Sequence, residues 1–291
     1  MSNKKPLPRN KFLALIKSEA KKRYPDKHPF NTLLYEGKLN KTQIHGWITN
    51  WFYYQNMIPL KDGAVISNCP LSDVRRLWIS RILEYDGYSE SEGAIQGWIK
   101  FAESTGMNKK SLYLDDYLPG VRIASDSLLN YVKTHSWFEG IATSLNQLFL
   151  SAAIDKRVYA LSKHYGDFID PNGLGYFMSL SAQARKDSQI AFNIVVKYAD
   201  SYEMQLKAVD SVLFTEDILW SMFDSIHSVY VLKVSVAELE SREAVVEGRM
   251  KRKILALRRL FDAGASEVII ADGRTEHPVL DALAGKGTAI Q

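Results

Sequence analysis

The chain has six histidines and one cysteine with which to bind a metal ion or attack a substrate. The histidines are His28, His45, His135, His164, His227 and His277. None of them stand at the spacing of paired metal ligands, so we expect caps, turn residues or surface residues. The lone Cys69 excludes an intramolecular disulfide and a Cys-rich zinc site. These residue types alone predict no catalytic or metal centre.

Basic residues are concentrated near the carboxyl end, at positions 242, 249, 251, 252, 253, 258 and 259. A run of this kind is usually the solvated face of a helix. A binding site for a phosphate, a nucleotide or an acidic partner is the more specific interpretation. The residues alone leave the solvated face and the binding site open.

Composition and charge are typical of a folded globular protein. Of the 291 residues, 46% are hydrophobic and 24% are charged, which leaves enough apolar material for a core. The net charge of +4 is too small for a nucleic-acid-binding surface. No uncharged run approaches the roughly 20 residues that cross a bilayer, and the first residues contain no apolar leader segment. We therefore expect a cytoplasmic protein with neither nucleic-acid nor membrane partners.

Hydrophobic periodicity predicts helices over most of the first 228 residues, because apolar residues recur there at helical spacing. The predicted helices span about 10–24, 42–59, 72–85, 91–105, 121–133, 135–150, 172–201 and 204–226. We expect Pro59 to end or kink the second of them. Trp47, Trp51 and Trp220 are expected to pack in the core.

The last sixty residues have a different pattern. A β-branched strand at 229–236, a charged helix at 238–261 and a short apolar strand at 267–271 alternate there. This alternation predicts a small α/β extension. We therefore place a boundary near residue 228, between a helical domain (1–228) and an α/β tail (229–291).

Four segments together carry a resemblance to a known family: FYYQNMIPLKD (52–62), RRLWISRILEYDG (75–87), LPGVR (118–122) and ILWSMFD (218–224). In order and spacing they resemble pyrroloquinoline-quinone synthases of the heme-oxygenase-like (TENA) superfamily, over residues 8–228. The resemblance implies a mainly α, heme-oxygenase-like helix bundle around a closed pocket. It also implies a homodimer that uses molecular oxygen as co-substrate, without a metal or another cofactor, on a quinoid ligand.

The resemblance further implies which residues form the pocket. Its substrate-binding positions are Tyr24, Tyr54, Gln55, Lys61, Arg81 and Arg157, and its catalytic positions are Tyr85, Tyr176 and Arg157. Basic side chains of this kind pair with carboxylates, and tyrosines offer a stacking face and a hydroxyl. We therefore expect a small anionic aromatic ligand. Tyr53 and Tyr54 are adjacent on one helix and cannot both face it.

The resemblance is incomplete at the positions that move protons. Family histidines are replaced by Pro25, Tyr85 and Ile154, and other charged pocket positions by Trp51, Gln147, Leu180 and Thr215. Histidine is the side chain best suited to proton transfer near neutral pH. We therefore expect a divergent, oxygen-dependent oxidoreductase that does not make pyrroloquinoline quinone itself, with Tyr85 where the family has a base.

Three alternatives stay open. Lys61, Arg81 and Arg157 could form structural ion pairs with Glu84, Asp86 or other carboxylates instead of binding a ligand. The chain could be a non-catalytic binding protein on the same fold. A di-iron oxygenase of the superfamily is the third, but its ligand positions here are Tyr85, Gln147, Leu180, Ala184 and Asp187. Only one carboxylate remains among them, so we expect no metal site.

The tail resembles the C-terminal end of amino-acid kinases that act on acetylglutamate or aminoadipate. Their Gly-Gly-Met-x-x-Lys signature appears as GRMKRK at 248–253, and Lys253 matches a phosphate-binding lysine. A Gly-rich phosphate loop and the preceding catalytic residues are missing, so we do not expect phosphoryl transfer.

Overall fold

The computed structural model describes residues 4–113, 117–234, 248–271, 273 and 277–291, with the backbone alone at 233, 234 and 248–252. Up to residue 230 the described chain is a bundle of helices. They are α1 Arg9–Arg23, α2 Pro29–Tyr35, α3 Lys41–Asn68, α4 Ser72–Asp86, α5 Gly93–Ser104, α6 Pro119–Thr134, α7 Trp137–Ala142, α8 Leu150–His164, α9 Gly175–Tyr198 and α10 Tyr202–Tyr230. Shorter 3-10 turns lie at Pro25–Lys27, Lys109–Tyr113, Thr143–Leu148 and Pro171–Leu174. The prediction of a mainly helical chain is confirmed.

Helix α3 packs against α4 and α6. It begins with a capping box, in which the side chains of Asn40 and Gln43 each accept a hydrogen bond from the other residue's backbone N–H. Pro59 was expected to end or kink this helix, and it does not end it, since the helix continues to Asn68. Ile58 and Val65 are buried on either side of the proline. Burial of both halves outweighs the one backbone hydrogen bond that proline cannot make.

The predictions around residue 150 are also wrong. The single helix expected at 135–150 is the short α7 followed by the 3-10 turn Thr143–Leu148, and α8 was not predicted at all. Gly140 lets α7 approach its neighbours closely, because a Cβ there would lie 2.9 Å from a Val65 methyl and 3.0 Å from Val132. This irregular segment matters because it forms one wall of the candidate site described below.

The short helix α2 was likewise not predicted. Its N-cap is His28, whose Nδ1 accepts a hydrogen bond from the backbone N–H of Phe30 at 3.0 Å. The expected capping role of a histidine is therefore confirmed here, although this one is buried.

Two apolar clusters form the core of the bundle. One surrounds Trp47, Trp98 and Phe223, and the other surrounds Phe12 and Trp78. The predicted core packing is confirmed for Trp47 and Trp51, which belong to the first cluster. Trp220 is half-buried outside both clusters, with its ring 4.9 Å from the His28 ring. In the part of the chain that the structure describes, no helix is both long and apolar enough to cross a membrane.

The tail contains helices α11 Gly248–Asp262 and α12 Pro278–Leu283 and strands β1 Lys233–Val234, β2 Val268–Ile270 and β3 Thr288–Ile290. The strands form one sheet in the order β1-β3-β2, with β3 parallel to β1 and antiparallel to β2. The prediction of a strand from residue 229 is wrong at its start, because α10 continues to Tyr230. Residues 235–247, where part of the charged helix was predicted, lie outside the described residues. Helix α12 and strand β3 were not predicted, and the boundary near 228 remains a prediction.

Candidate functional site

A cavity of about 70 Å³ lies inside the bundle. Helix α3 lines it with side chains three or four positions apart, which fall on one helix face. The predicted site residues in its lining are Tyr54, Gln55, Lys61, Arg81, Tyr85, Arg157 and Tyr176. They come from α3, α4, α8 and α9, and the 3-10 turn Thr143–Leu148 and side chains of α5, α6 and α10 complete the lining. Tyr53 instead donates to Asp126 Oδ1 at 2.7 Å, so the prediction that the two adjacent tyrosines diverge is confirmed.

Two of the predicted cations are compensated by carboxylates. Asp62 accepts from Lys61 Nζ at 2.8 Å through one oxygen and from Arg81 Nε at 2.9 Å through the other. Arg81 also donates through Nη1 to Asp187 at 2.8 Å and to Gln147 at 2.9 Å. All four charged side chains are at most 6% exposed. The result is a neutral buried network of two cations and two anions.

The expected alternative of structural ion pairs holds for Lys61 and Arg81, but the partners are other carboxylates than the named Glu84 and Asp86. Glu84 instead accepts from Lys186 Nζ at 3.1 Å and from the Gln183 amide, and no ion pair of Asp86 is found in the described chain. Asp62 and Asp187 were missed. Asp62 directly follows Lys61, and this adjacent pair of opposite charges in an apolar helix was the available signal.

Burial and pairing oppose each other in this network. Burial alone would raise the pKa of Asp62, but Arg81 and Lys61 outweigh it and hold that pKa below its ordinary value. Burial lowers the pKa of Lys61, and Asp62 opposes this shift. For Arg81, burial is outweighed by Asp62 and Asp187, and its pKa is raised. Asp62 and Arg81 therefore keep their charges at neutral pH.

Arg157 has different surroundings. Its side chain is 8% exposed, and no carboxylate lies within ion-pair distance of it among the described residues. Nη2 donates to Asn31 Oδ1 at 3.3 Å, and the guanidinium lies 5.3 Å from the centre of the Trp47 ring. Its Nε finds no hydrogen-bond partner in the described chain. The cavity therefore keeps one buried cation without an anion.

Other polar atoms of the lining also lack partners. In the described structure the Tyr176 hydroxyl and Gln55 Oε1 are buried without a hydrogen bond. Burial raises the pKa of Tyr85, Tyr176 and Tyr54, so these tyrosines stay protonated at neutral pH. Because native proteins rarely leave buried polar groups unpaired, these atoms mark contacts that a ligand or water would supply.

A second pocket, of about 390 Å³, lies outside the first. Tyr85, Gln147, Tyr176 and Leu180 line both and form the boundary between them. The outer pocket also contains the acidic side chains of Glu84, Glu92 and Asp187. The Tyr176 ring rests on Gly97, where a Cβ would come within 2.7 Å of it. The boundary is therefore aromatic, closely packed and next to acidic groups.

The positions at which the chain departs from the family's charged pocket fall mostly on this cavity. Trp51, Gln147, Ile154, Leu180 and Thr215 line it together with Tyr85, whereas Pro25 is buried outside the lining. No histidine belongs to the described lining. Proton transfer by imidazole is therefore not available from these walls.

The remaining two predicted site residues lie elsewhere. Tyr24 packs its ring 5.2 Å from that of Phe149 and lines a separate surface groove of about 580 Å³ with Lys17, Lys21 and Lys156. Its hydroxyl has a raised pKa because of burial and the nearby Glu216. Lys253 is exposed on α11, and the neighbouring side chains at 249, 251 and 252 lie outside the described ones.

The residues present do not fit a di-iron centre. Asp187 is the one carboxylate at the expected ligand positions, and Arg81 holds it in an ion pair. Within the described chain, no three His, Cys, Asp or Glu side chains are grouped so that they could hold a metal ion.

Glu216 is a further residue that the sequence analysis missed. It is fully buried on α10, next to Thr215 of the cavity lining, and both carboxyl oxygens lack partners among the described residues. Burial, and then the charge of Asp217, raises its pKa well above the ordinary value. A glutamate that shares its helix face with Val212 and Leu219, four and three positions away, was the available signal.

Comparisons with known proteins agree with this architecture. The model of the TENA/THI-4/PQQC family matches residues 17–225. The chain is 37% identical over 219 residues to a pyrroloquinoline-quinone synthase of Cronobacter sakazakii, covering 75% of this chain and 87% of that protein. It is 39% identical over 207 residues to the synthase of Ectopseudomonas mendocina, covering 71% and 82%.

Solved structures show the same fold at low sequence identity. A domain of unknown function with a heme oxygenase-like fold from Shewanella denitrificans superposes with a TM-score of 0.62 and 12% identity, covering 89% of this chain and 97% of that one. A TenA homologue from Pseudomonas syringae superposes with a TM-score of 0.58 and 10% identity, covering 78% and 99%. The family match ends at residue 225, so the resemblance of the tail to amino-acid kinases gains no support from it. The heme-oxygenase-like fold and the resemblance to the synthases are confirmed, and the chain belongs to the TENA/THI-4/PQQC family.

Proposed function

We propose that this protein binds a small anionic aromatic or quinoid molecule across the inner cavity and the adjoining outer pocket and oxidises it with molecular oxygen. The observation that carries this proposal is the set of unpaired buried groups on one cavity: Arg157 Nε, Gln55 Oε1 and the Tyr176 hydroxyl. A cation, an acceptor and a hydroxyl that converge on one void suit an acidic, polar ring compound. The family relatives are pyrroloquinoline-quinone synthases, which makes a quinoid substrate the natural class.

In the proposed reaction, two electrons and two protons leave the substrate and reduce O₂ to hydrogen peroxide. The buried Tyr85 hydroxyl has a raised pKa, so it donates a hydrogen bond to the substrate and does not serve as the base that takes its proton. Since the described lining holds no histidine, the reaction is restricted to substrates that release protons readily. We therefore propose that pyrroloquinoline quinone itself is not the product.

The proposal is tested by calorimetric titration of the full chain with acidic aromatic and hydroquinone compounds, followed by measurement of oxygen consumption and peroxide release. Gln55→Leu and Tyr176→Phe should each weaken binding about tenfold, the usual cost of one lost hydrogen bond. Tyr53→Phe on the same helix is the matched control, because its hydroxyl bonds to Asp126 away from the cavity. The proposal fails if no such compound binds.

A non-catalytic binding protein is the second candidate, favoured by the absence of histidine from the described lining. Binding without oxygen consumption would support it.

We extend both proposals with a homodimer and a cytoplasmic location. Helix α4 exposes the apolar side chains of Leu77, Ile79 and Leu83, a surface that a partner could cover. Light scattering of the purified chain tests the dimer.

A further inference from the structure

The charges around the cavity cancel except for one. Lys61 and Arg81 carry two positive charges, and Asp62 and Asp187 carry two negative charges at contact distances of 2.8 to 2.9 Å. A ligand carboxylate at Arg81 would therefore have to compete with two protein carboxylates that already hold this guanidinium. Arg81 and Lys61 are structural cations in the resting protein.

Arg157 is the one cation of the described lining that still needs an anion. It is held by a long hydrogen bond to Asn31, by a hydrogen bond with the Tyr35 hydroxyl and by the face of Trp47, and these partners are uncharged. Burying an isolated charge is costly, and a single bound carboxylate would compensate it. A second carboxylate on the same ligand would bring an uncompensated negative charge into the bundle.

The described opposite end of the site offers no free cation to such a second carboxylate. The inner cavity of about 70 Å³ is smaller than the engineered void of about 150 Å³ that accommodates benzene. A ring compound must therefore extend past Tyr176 and Leu180 into the outer pocket of about 390 Å³. There its far end meets Glu84 and Asp187, whose oxygens accept hydrogen bonds but whose charges are already paired with Lys186 and Arg81. The described lining of the outer pocket contains no lysine or arginine that could pair with a second carboxylate. Gln55 Oε1, at the inner end, is a further unpaired acceptor.

We propose that the cavity is specific for aromatic monocarboxylates, whose carboxylate pairs with Arg157 and whose opposite edge carries a hydroxyl or amino donor. This inference rests on the proposed function, since it names the substrate class of the same site. It departs from a pocket built for a polycarboxylated ligand, because Lys61 and Arg81 are already paired with Asp62 and Asp187 within the protein.

Three compounds with the same benzoate ring test the proposal by calorimetry on the full chain. 4-Hydroxybenzoate is a monocarboxylate with a donor, terephthalate is a dicarboxylate, and 4-nitrobenzoate has the shape of terephthalate without its second charge. The hydroxy compound should bind most tightly and the nitro compound more weakly. Terephthalate should bind at least about tenfold more weakly than the nitro compound. Equal or tighter binding of terephthalate would overturn the monocarboxylate inference while leaving an anionic aromatic ligand intact. If none of the three binds, the proposed function itself loses its support and the inference falls with it.

Two variants locate the selectivity. Arg157→Gln should reduce 4-hydroxybenzoate binding at least about tenfold and abolish the difference between 4-nitrobenzoate and uncharged nitrobenzene. Asp187→Asn frees part of Arg81 and should improve terephthalate binding relative to 4-nitrobenzoate. If Asp187→Asn does not fold, Arg157→Gln decides the question, because unchanged 4-hydroxybenzoate binding in that variant contradicts the proposal.

Discussion

Arg81 and Arg157 are two buried arginines on one cavity, and they differ in their neighbours. Arg81 is held by Asp62 and Asp187 in ion pairs of 2.9 and 2.8 Å, whereas Arg157 has Asn31 and the Trp47 ring. The first arrangement is complete within the protein. The second becomes complete when an anion arrives. The comparison separates a structural cation from a binding cation, although the sequence presents the same residue type at both positions.

The largest effect should come from removing one of the carboxylates that pair with Arg81. Asp62→Asn keeps the shape of the side chain but removes the charge that faces Arg81 and Lys61. Two buried cations then share Asp187, and the free energy of unfolding should fall by about 3–5 kcal/mol. Urea denaturation followed by circular dichroism measures the change.

The matched control is Asp217→Asn on the surface. Asp217 is 54% exposed and pairs with the half-exposed Arg23. Its replacement should cost at most about 1 kcal/mol. Similar losses in the two variants would show that the buried network contributes no more than a surface pair.

A second prediction concerns the Tyr176 ring, which lines the same cavity as Arg157. Gly97→Ala places a Cβ 2.7 Å from the Tyr176 ring, so the ring must move or the helices must separate. Overpacking of this kind should lower the free energy of unfolding by about 1–3 kcal/mol and shift the Tyr176 hydroxyl away from a bound ligand.

Gly63→Ala is the control for Gly97→Ala, because nothing lies within 4 Å of the added methyl group there. It should stabilise α3 by about 0.5–1 kcal/mol through helix propensity alone. Thermal unfolding and ligand titration of the two alanine variants measure both effects. Equal behaviour would contradict a tight contact between Gly97 and Tyr176.

The third prediction is that replacing Arg157 and replacing Arg81 by methionine affect the stability of the protein differently. Arg157→Met removes a buried charge that no described carboxylate compensates, so the unliganded protein should keep its stability or gain about 1 kcal/mol. Arg81→Met should instead lose stability, because it leaves Asp62 and Asp187 facing each other's charge. Denaturant midpoints of the two variants measure this difference. A large loss in Arg157→Met would mean that this arginine, too, is mainly structural.

Much of the bundle could be predicted from the sequence, and the predictions that were wrong have physical causes. Long amphipathic helices such as α4 and α6 followed from periodicity, since one face of each must be buried. Helix α3 was predicted to stop at Pro59 because proline usually breaks a helix. Burial of side chains on both sides of Pro59 keeps this helix continuous. The 3-10 turn at Thr143–Leu148 was read as regular helix, because its apolar residues have a similar spacing.

The sequence analysis predicted most of the residues that line the site, but not which of them form ion pairs with one another. The resemblance to the synthases placed Lys61, Arg81 and Arg157 on one cavity, and the structure brings them there. Which of them is compensated depends on Asp187, more than a hundred positions from Arg81 in the chain and brought near it only by folding. Glu216 was overlooked because a glutamate in a helix usually faces solvent.

The smallest predicted effect belongs to Glu216, and it depends on pH. The folded-state pKa of Glu216 is raised above the ordinary 4.5, mainly by burial. From about pH 4.5 up to that raised pKa, the folded protein holds a proton that the unfolded chain has released, so stability falls as the pH rises. Glu216→Gln keeps a neutral side chain at every pH and escapes this loss. Its melting temperature relative to the unmodified chain should therefore increase between pH 5 and pH 8, by about 2–4 °C if the effect is near 1 kcal/mol. Asp210→Asn, an exposed change on the same helix, should show no such trend in thermal scans. A difference that stays constant with pH would mean that Glu216 is ionised in the folded protein, and that a partner for its charge exists in solution.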